Sequence, residues 1–99
     1  MAIDFFNFQD TRLNHRLFSI DDLDFEAIES ILIEYKRLTG ITLDRYSKTR
    51  LYQDHVNLIV KLLKDEANKL SQYSKERKHL TLIVAKFEQV EEGLLAIGD

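Results

Sequence analysis

The sequence of 99 residues contains no cysteine and no proline, and its only glycines are Gly40, Gly93 and Gly98. Without cysteine, disulfides, thiolate nucleophiles and cysteine-based zinc or iron–sulfur sites are excluded, which is consistent with a reducing compartment. Without proline and with so few glycines, the chain has few residues that would break a helix. This scarcity favours long helices.

Long hydrophobic runs are also missing from the sequence. No stretch reaches the roughly 18 consecutive apolar residues that a membrane-spanning helix needs. Residues 1–9 have no basic region and include Asp4, which is not typical of a secretory signal. With 44% hydrophobic and 31% charged residues, the composition is that of one small globular domain. We expect a cytoplasmic protein that does not bind membranes.

Apolar residues recur at spacings of three and four along three segments, as in amphipathic helices. In the first segment, acidic residues precede Phe25 and Gly40 follows the last apolar residue, which suits the two ends of a helix. Residues 71–79 either form a turn or continue one long helix. Two serines within residues 71–74 suit the start of a third helix and favour the turn. The helices are expected at 22–39, 44–72 and 76–96.

These patterns predict an all-α fold, a small helical bundle of three long amphipathic helices with an N-terminal arm or short helix. Residues 1–20 are the expected arm or short helix packed on the body, and residues 21–99 are the expected helical bundle domain. The apolar faces place these side chains in the core: Phe25, Ile28, Leu32, Ile59, Leu63, Ile83 and Phe87.

Further apolar residues lie outside these three faces. They are Phe5, Phe6 and Phe8 in the arm and Leu58, Val60 and Leu62 in the second helix. Together they form more apolar surface than one small core readily hides. We therefore expect a homodimer that forms by helix–helix packing with a symmetric interface.

Charge is distributed unevenly along the chain, and it indicates a binding surface. Residues 1–40 carry a net charge of −4, residues 41–79 of +4 and residues 80–99 of −3. On the polar side of the basic middle helix, Lys61, Lys64 and Lys75 recur with amide side chains at spacings of three and four, and Arg50 precedes them. These four are the candidate partner-binding residues. Such a stripe suits an acidic protein or a phosphate backbone, and the overall charge of −3 favours the protein. A plain solvated helix face without a partner explains the same pattern.

Motifs for catalysis and metal binding are scarce. Glu76 and His79 have the spacing of two metal ligands on one helix face, but the motif has no second copy and Lys75, Arg77 and Lys78 would repel a cation. The sequence holds no Gly-x-Ser-x-Gly or Ser-x-x-Lys motif and no glycine-rich phosphate loop. We expect no catalytic residue, no metal and no cofactor.

One part of the sequence resembles a known family. Residues 25–52 contain Gly40-Ile-Thr-Leu43, followed by Tyr46, Lys48 and Leu51. This segment is similar to the small helical N-terminal domain of chemotaxis-receptor methyltransferases. The resemblance covers under a third of the chain and implies a helix, a short link and a second helix that begins with tyrosine or lysine.

The sequence leaves three functions open, and the first is favoured. The first is a non-enzymatic protein-interaction module, an adaptor, inhibitor or regulatory subunit, that self-associates. The second is a nucleic-acid-associated regulator that uses the basic middle helix. The third, implied by the resemblance, is a stand-alone relative of the helical N-terminal domain of chemotaxis-receptor methyltransferases.

Overall fold

The computed structural model describes residues 3–44 and 46–98, and within them it contains both strands and helices. In chain order the elements are β1 (Ile3–Asn7), β2 (Arg16–Ile20), α1 (Asp22–Thr39), β3 (Lys48–Leu51), α2 (Gln53–Asn68), α3 (Lys75–Glu88) and β4 (Leu94–Gly98). The strands form one antiparallel sheet in the order β2-β1-β4-β3. The prediction of an all-α helical bundle is therefore wrong, because the fold is α+β.

The sheet and the helices form two layers with one core between them. The strand residues in this core are Ile3, Phe5, Phe18, Ile20, Leu51, Leu94 and Ala96. Phe5 and Phe18 stack across β1 and β2 with their ring centroids 4.7 Å apart. Phe87 of α3 meets both rings edge-on, at 5.3 and 5.2 Å. Such aromatic pairs stabilise a contact beyond the area they bury, so this trio joins α3 to the sheet.

The ends of α1 follow the sequence signals. The Asp21 side chain accepts a hydrogen bond from the Asp24 N–H, and the Asp24 side chain accepts one from the Asp21 N–H, which makes a capping box. At the other end Gly40 has φ 76° and donates its N–H to the Lys36 carbonyl at 2.7 Å. This left-handed conformation favours glycine.

The predicted core and the break between the last two helices are confirmed. All seven expected core residues are buried: Phe25, Ile28, Leu32, Ile59, Leu63, Ile83 and Phe87. The second helix ends at Asn68, and Ser74 caps the third by accepting a hydrogen bond from the Arg77 N–H. Helical spacing therefore identified the correct faces of all three helices.

Three segments predicted to be helical, or to form an arm, are strands instead. Residues 3–20 hold the β1–β2 hairpin instead of an arm or short helix, residues 48–51 are β3, and residues 94–98 are β4. The second helix begins at Gln53 instead of residue 44, and the third ends at Glu88 instead of residue 96. These strands are only four or five residues long, and short apolar runs do not distinguish a strand from a helix by their spacing.

The turn that leads into β4 depends on Gly93 and Gln53. Gly93 has φ +84°, and a Cβ atom there would lie 2.6 Å from the Leu51 carbonyl oxygen. The Gln53 side chain accepts the Gly93 N–H and donates to the Val90 carbonyl, both at 2.9 Å. The start of α2 thereby fixes the position at which β4 enters the sheet. No helix in the described part of the chain is both long enough and apolar enough to cross a lipid bilayer.

Candidate interaction surface

One face of the sheet lies opposite the helix layer, and we call it the open face. Because side chains alternate along a strand and the strand registers are known, its members can be read off. No helix in the described part of the chain packs on this face. The side chains of the open face are Asp4, Phe6, Phe8, Arg16, Ser19, Lys48, Arg50, Tyr52, Leu95 and Ile97.

The centre of the open face is apolar. Leu95 is 0% exposed and Phe6 is 8% exposed, although neither belongs to the core between the layers. Phe6 and Arg50 are the direct neighbours of Leu95 on the two adjacent strands. Neighbouring side chains on one face of a sheet contact each other, and the stem of an arginine can cover apolar surface while its guanidinium remains in water. The long side chains of the rim therefore shield an apolar centre.

The rim of the open face carries an excess of positive charge. Arg16 pairs with Asp4 across β1 and β2 at 3.4 Å. Lys48 and Arg50 are exposed on β3, and no carboxylate among residues 3–44 and 46–98 pairs with either of them. Because both side chains are exposed and no described carboxylate neutralises them, Lys48 and Arg50 can bind an acidic ligand.

Aromatic rings extend the open face at one end. The Arg50 guanidinium carbon lies 5.9 Å from the centre of the Phe8 ring, within the range of a cation–π interaction. Tyr52 packs on Phe8 at 5.1 Å and on His55 at 5.8 Å, yet it is 63% exposed. This part of the surface combines an arginine with an exposed tyrosine, the residue types that dominate the centres of protein interfaces.

The four candidate partner-binding residues do not lie on one helix. Arg50 is on β3, Lys61 and Lys64 are on α2, and Lys75 is the first residue of α3. Lys64 forms an ion pair with Glu88 of α3 at 2.8 Å, so a carboxylate of the neighbouring helix already balances its charge. Element boundaries thus divide the predicted stripe, and Arg50 alone belongs to the open face.

Sequence reasoning missed the rest of this surface. Lys48 and Leu95 were not singled out as binding residues, and Phe6 was named only with Phe5 and Phe8 as apolar surface of an arm, because the segments that contain them were expected to be helical or an arm. A local signal exists in β3, where Lys48 and Arg50 alternate with Thr49 and Leu51. Alternation over four residues is too short to outweigh the longer helical pattern around it.

A second polar cluster joins α1, α3 and β2. The His79 Nε2 atom lies 2.6 Å from a carboxylate oxygen of Asp24, and the Lys86 Nζ atom lies 3.6 Å from the other oxygen. Lys86 also donates to the Ser19 carbonyl at 3.0 Å. The Asp24 side chain is only 14% exposed, so these contacts are partly shielded from water and tie the three elements together.

The electrostatics of Asp24 follow from this cluster. Burial by itself would raise the pKa of the Asp24 carboxyl, but the hydrogen bond from His79, the bond from the Asp21 main chain and the charge of Lys86 together outweigh it. The pKa of Asp24 is therefore held below its ordinary value, and the carboxylate is charged at neutral pH. His79 thus bonds a carboxylate, and no group of three or more metal-ligating side chains occurs within residues 3–44 and 46–98.

Comparison with protein-family models, curated proteins and solved structures finds no match to this chain. The segment that resembles chemotaxis-receptor methyltransferases does contain the expected first helix, which is α1. The element after the link is strand β3, however, and the implied second helix at Tyr46 or Lys48 is absent, since helix α2 begins only at Gln53.

Proposed function

We propose that this chain is a non-enzymatic protein-interaction module that binds an acidic protein through the open face of its sheet. The observation that carries the proposal is the presence of two exposed cations, Lys48 and Arg50, which pair with no carboxylate of residues 3–44 and 46–98 and lie on a face that no helix of the described chain covers. An adaptor, inhibitor or regulatory subunit needs such a surface and no catalytic group.

The composition of the open face supports this proposal. Protein interfaces are enriched in arginine, tyrosine and phenylalanine at an apolar centre with a polar rim. Arg50 and Tyr52 are exposed side chains of these types, and they lie beside Phe6 and Leu95, which are already buried within the chain. On the helix layer, α1 carries five acidic and two basic residues, so the surface of α1 repels an acidic partner, whereas Lys48 and Arg50 of the open face attract it. Such asymmetry orients an acidic partner before contact.

Binding to poly-L-glutamate tests the proposal, because this polymer presents carboxylates without any particular side-chain sequence. The variant Lys48→Glu/Arg50→Glu should weaken binding by about tenfold or more at low salt. The difference should shrink at high salt, where charges are screened. A matched control is Lys61→Glu/Lys75→Glu, which reverses two exposed lysines of the predicted helical stripe and should leave binding within about twofold.

Each outcome decides for or against the open face. Loss of binding in the strand variant alone supports it. If the helix variant loses as much affinity as the strand variant, the open face is not the specific binding surface and the stripe predicted from the sequence takes part in binding. Absence of poly-L-glutamate binding by the unmodified chain, or tighter binding of single-stranded polyuridylate under the same conditions, would overturn the proposal of an acidic protein partner.

A further inference from the structure

The main-chain groups of β3 at the edge of the sheet are a second feature of this surface, besides the side chains of the open face. Gly98 donates its N–H to the Ser47 carbonyl at 2.9 Å, so these two residues form a hydrogen-bonded pair between β3 and β4. In an antiparallel ladder, such pairs alternate with pairs that are not hydrogen-bonded. The next hydrogen-bonded residue of β3 is therefore Thr49, and the main-chain N–H and C=O groups of Lys48 and Arg50 point away from β4.

These four main-chain groups lie at an open edge. β3 is the last strand in the sheet order, and no residue in 3–44 or 46–98 forms a hydrogen bond with the main chain of Lys48 or Arg50. An exposed edge with unpaired donors and acceptors is a template for another strand. Lys48 and Arg50 can therefore contact a partner in two ways: their main-chain groups can form hydrogen bonds at the edge, and their side chains carry positive charge on the open face.

The opposite edge of the sheet is different. At β2, the Ser19 carbonyl already accepts a hydrogen bond from Lys86 at 3.0 Å. The register of β2 with β1 also shifts between Phe5 and Phe6, which marks a bulge. Bulges disturb the regular spacing that an added strand requires. The β3 edge, which has neither feature, is the one suited to strand addition.

A second copy of this chain does not fit the β3 edge. If two copies paired through antiparallel β3 strands with Thr49 opposite Thr49, Lys48 of each copy would lie directly opposite Arg50 of the other. Like charges directly opposite each other on one face of a sheet are destabilising. The same positions favour acidic residues, and two acidic residues separated by one residue would lie directly opposite Lys48 and Arg50 in hydrogen-bonded pairs.

We propose that β3 binds an extended acidic segment of a partner protein as a fifth strand, with Glu-x-Glu or a similar alternation opposite Lys48 and Arg50. The inference rests on the proposed function and names how the partner binds. Main-chain hydrogen bonds supply affinity in this mode, and alternate side chains supply specificity. The residue between the two acidic side chains lies opposite Thr49, whose hydroxyl donates to the Thr42 carbonyl at 3.1 Å, so a small polar residue such as threonine suits this position.

The test uses the full chain and three synthetic peptides in an NMR titration. The first is acetyl-Thr-Glu-Thr-Glu-Thr-amide. The second has the same composition with its glutamates adjacent, so that both cannot lie on one face of a strand. The third repeats the first with N-methylated glutamates, which keeps the charges and removes the N–H groups that would bond the β3 edge. Binding of the second and third should be weaker by about tenfold.

The protection of two amides separates this inference from the proposed function. Strand addition should slow hydrogen exchange of the Lys48 and Arg50 main-chain amides when the first peptide binds, with Thr49 as an internal reference that β4 already protects. Binding that is sensitive to Lys48→Glu/Arg50→Glu but leaves those amides unprotected would overturn strand addition and keep the proposed function. Protection of both amides in the free chain, with a mass of twice 11.7 kDa, would show a second copy at the edge and overturn it as well.

Discussion

Replacing Asp24 by asparagine should destabilise the fold strongly, because this one carboxylate joins three elements. It accepts hydrogen bonds from His79 and from the Asp21 main chain and lies near the Lys86 ammonium group. Asparagine keeps the shape of the side chain and can still accept one of these bonds, but it loses the charge. The substitution therefore isolates the electrostatic part of the cluster.

The magnitude follows from two contributions. A hydrogen bond to a charged group contributes about 1.5–3 kcal/mol, and an acidic side chain in the first turn of a helix contributes about 0.3–1 kcal/mol. Asp24→Asn should therefore lower the free energy of unfolding by about 2 kcal/mol or more. For a chain of this length, each kcal/mol lowers Tm by about 4–8 °C, so Tm should fall by about 8 °C or more at pH 7.

The pH dependence gives an independent check. The pKa of Asp24 is lower in the folded chain than in the unfolded chain, so folding favours its charged form. This stabilisation is complete above the unfolded pKa of about 4 and is lost as the pH falls through the lower, folded pKa. Asparagine has no such proton to bind. The advantage of the unmodified chain over Asp24→Asn should therefore shrink between about pH 5 and pH 2.

Thermal unfolding followed by circular dichroism at 222 nm measures both effects. The matched control is Glu29→Gln on the same helix, since Glu29 is exposed and forms no ion pair within the described residues. The control should change the free energy of unfolding by no more than about 0.5 kcal/mol. If Asp24→Asn melts within about 2 °C of the unmodified chain at pH 7, or if its deficit persists undiminished at pH 2, the electrostatic account of the cluster is wrong.

Two further predictions concern the core and the oligomeric state. Leu63 is fully buried on α2, so Leu63→Ala should lower the free energy of unfolding by about 2–5 kcal/mol. A Tm that hardly changes would contradict the place of Leu63 in the core. Self-association remains a prediction, although Phe5 and Phe6 are now buried within one chain and Leu58 packs against the core. Light scattering at high micromolar concentration should give twice 11.7 kDa if the chain dimerises, and a value of 11.7 kDa would refute it.

The sequence determined the helices and their buried faces because those signals are local. Asp21 and Gly40 mark the ends of α1 through hydrogen bonds within a few residues, and Ser74 does the same at the start of α3. The spacing that placed Ile59 and Leu63 in the core repeats over several turns. A helix closes its hydrogen bonds four residues away, so its pattern can be read without knowledge of the rest of the fold.

Only the tertiary structure decided the strands, and with them the candidate surface. β1 and β4 pair from opposite ends of the chain, and their hydrogen bonds exist only when the whole fold has formed. Leu94 and Leu95 are both buried because β4 has a strand on either side, helices on one face and long side chains on the other. Burial on both faces removes the alternation that normally reveals a strand. Arg50 was therefore assigned to a helix, whereas pairing with β4 places it beside Lys48 at the free edge of a sheet.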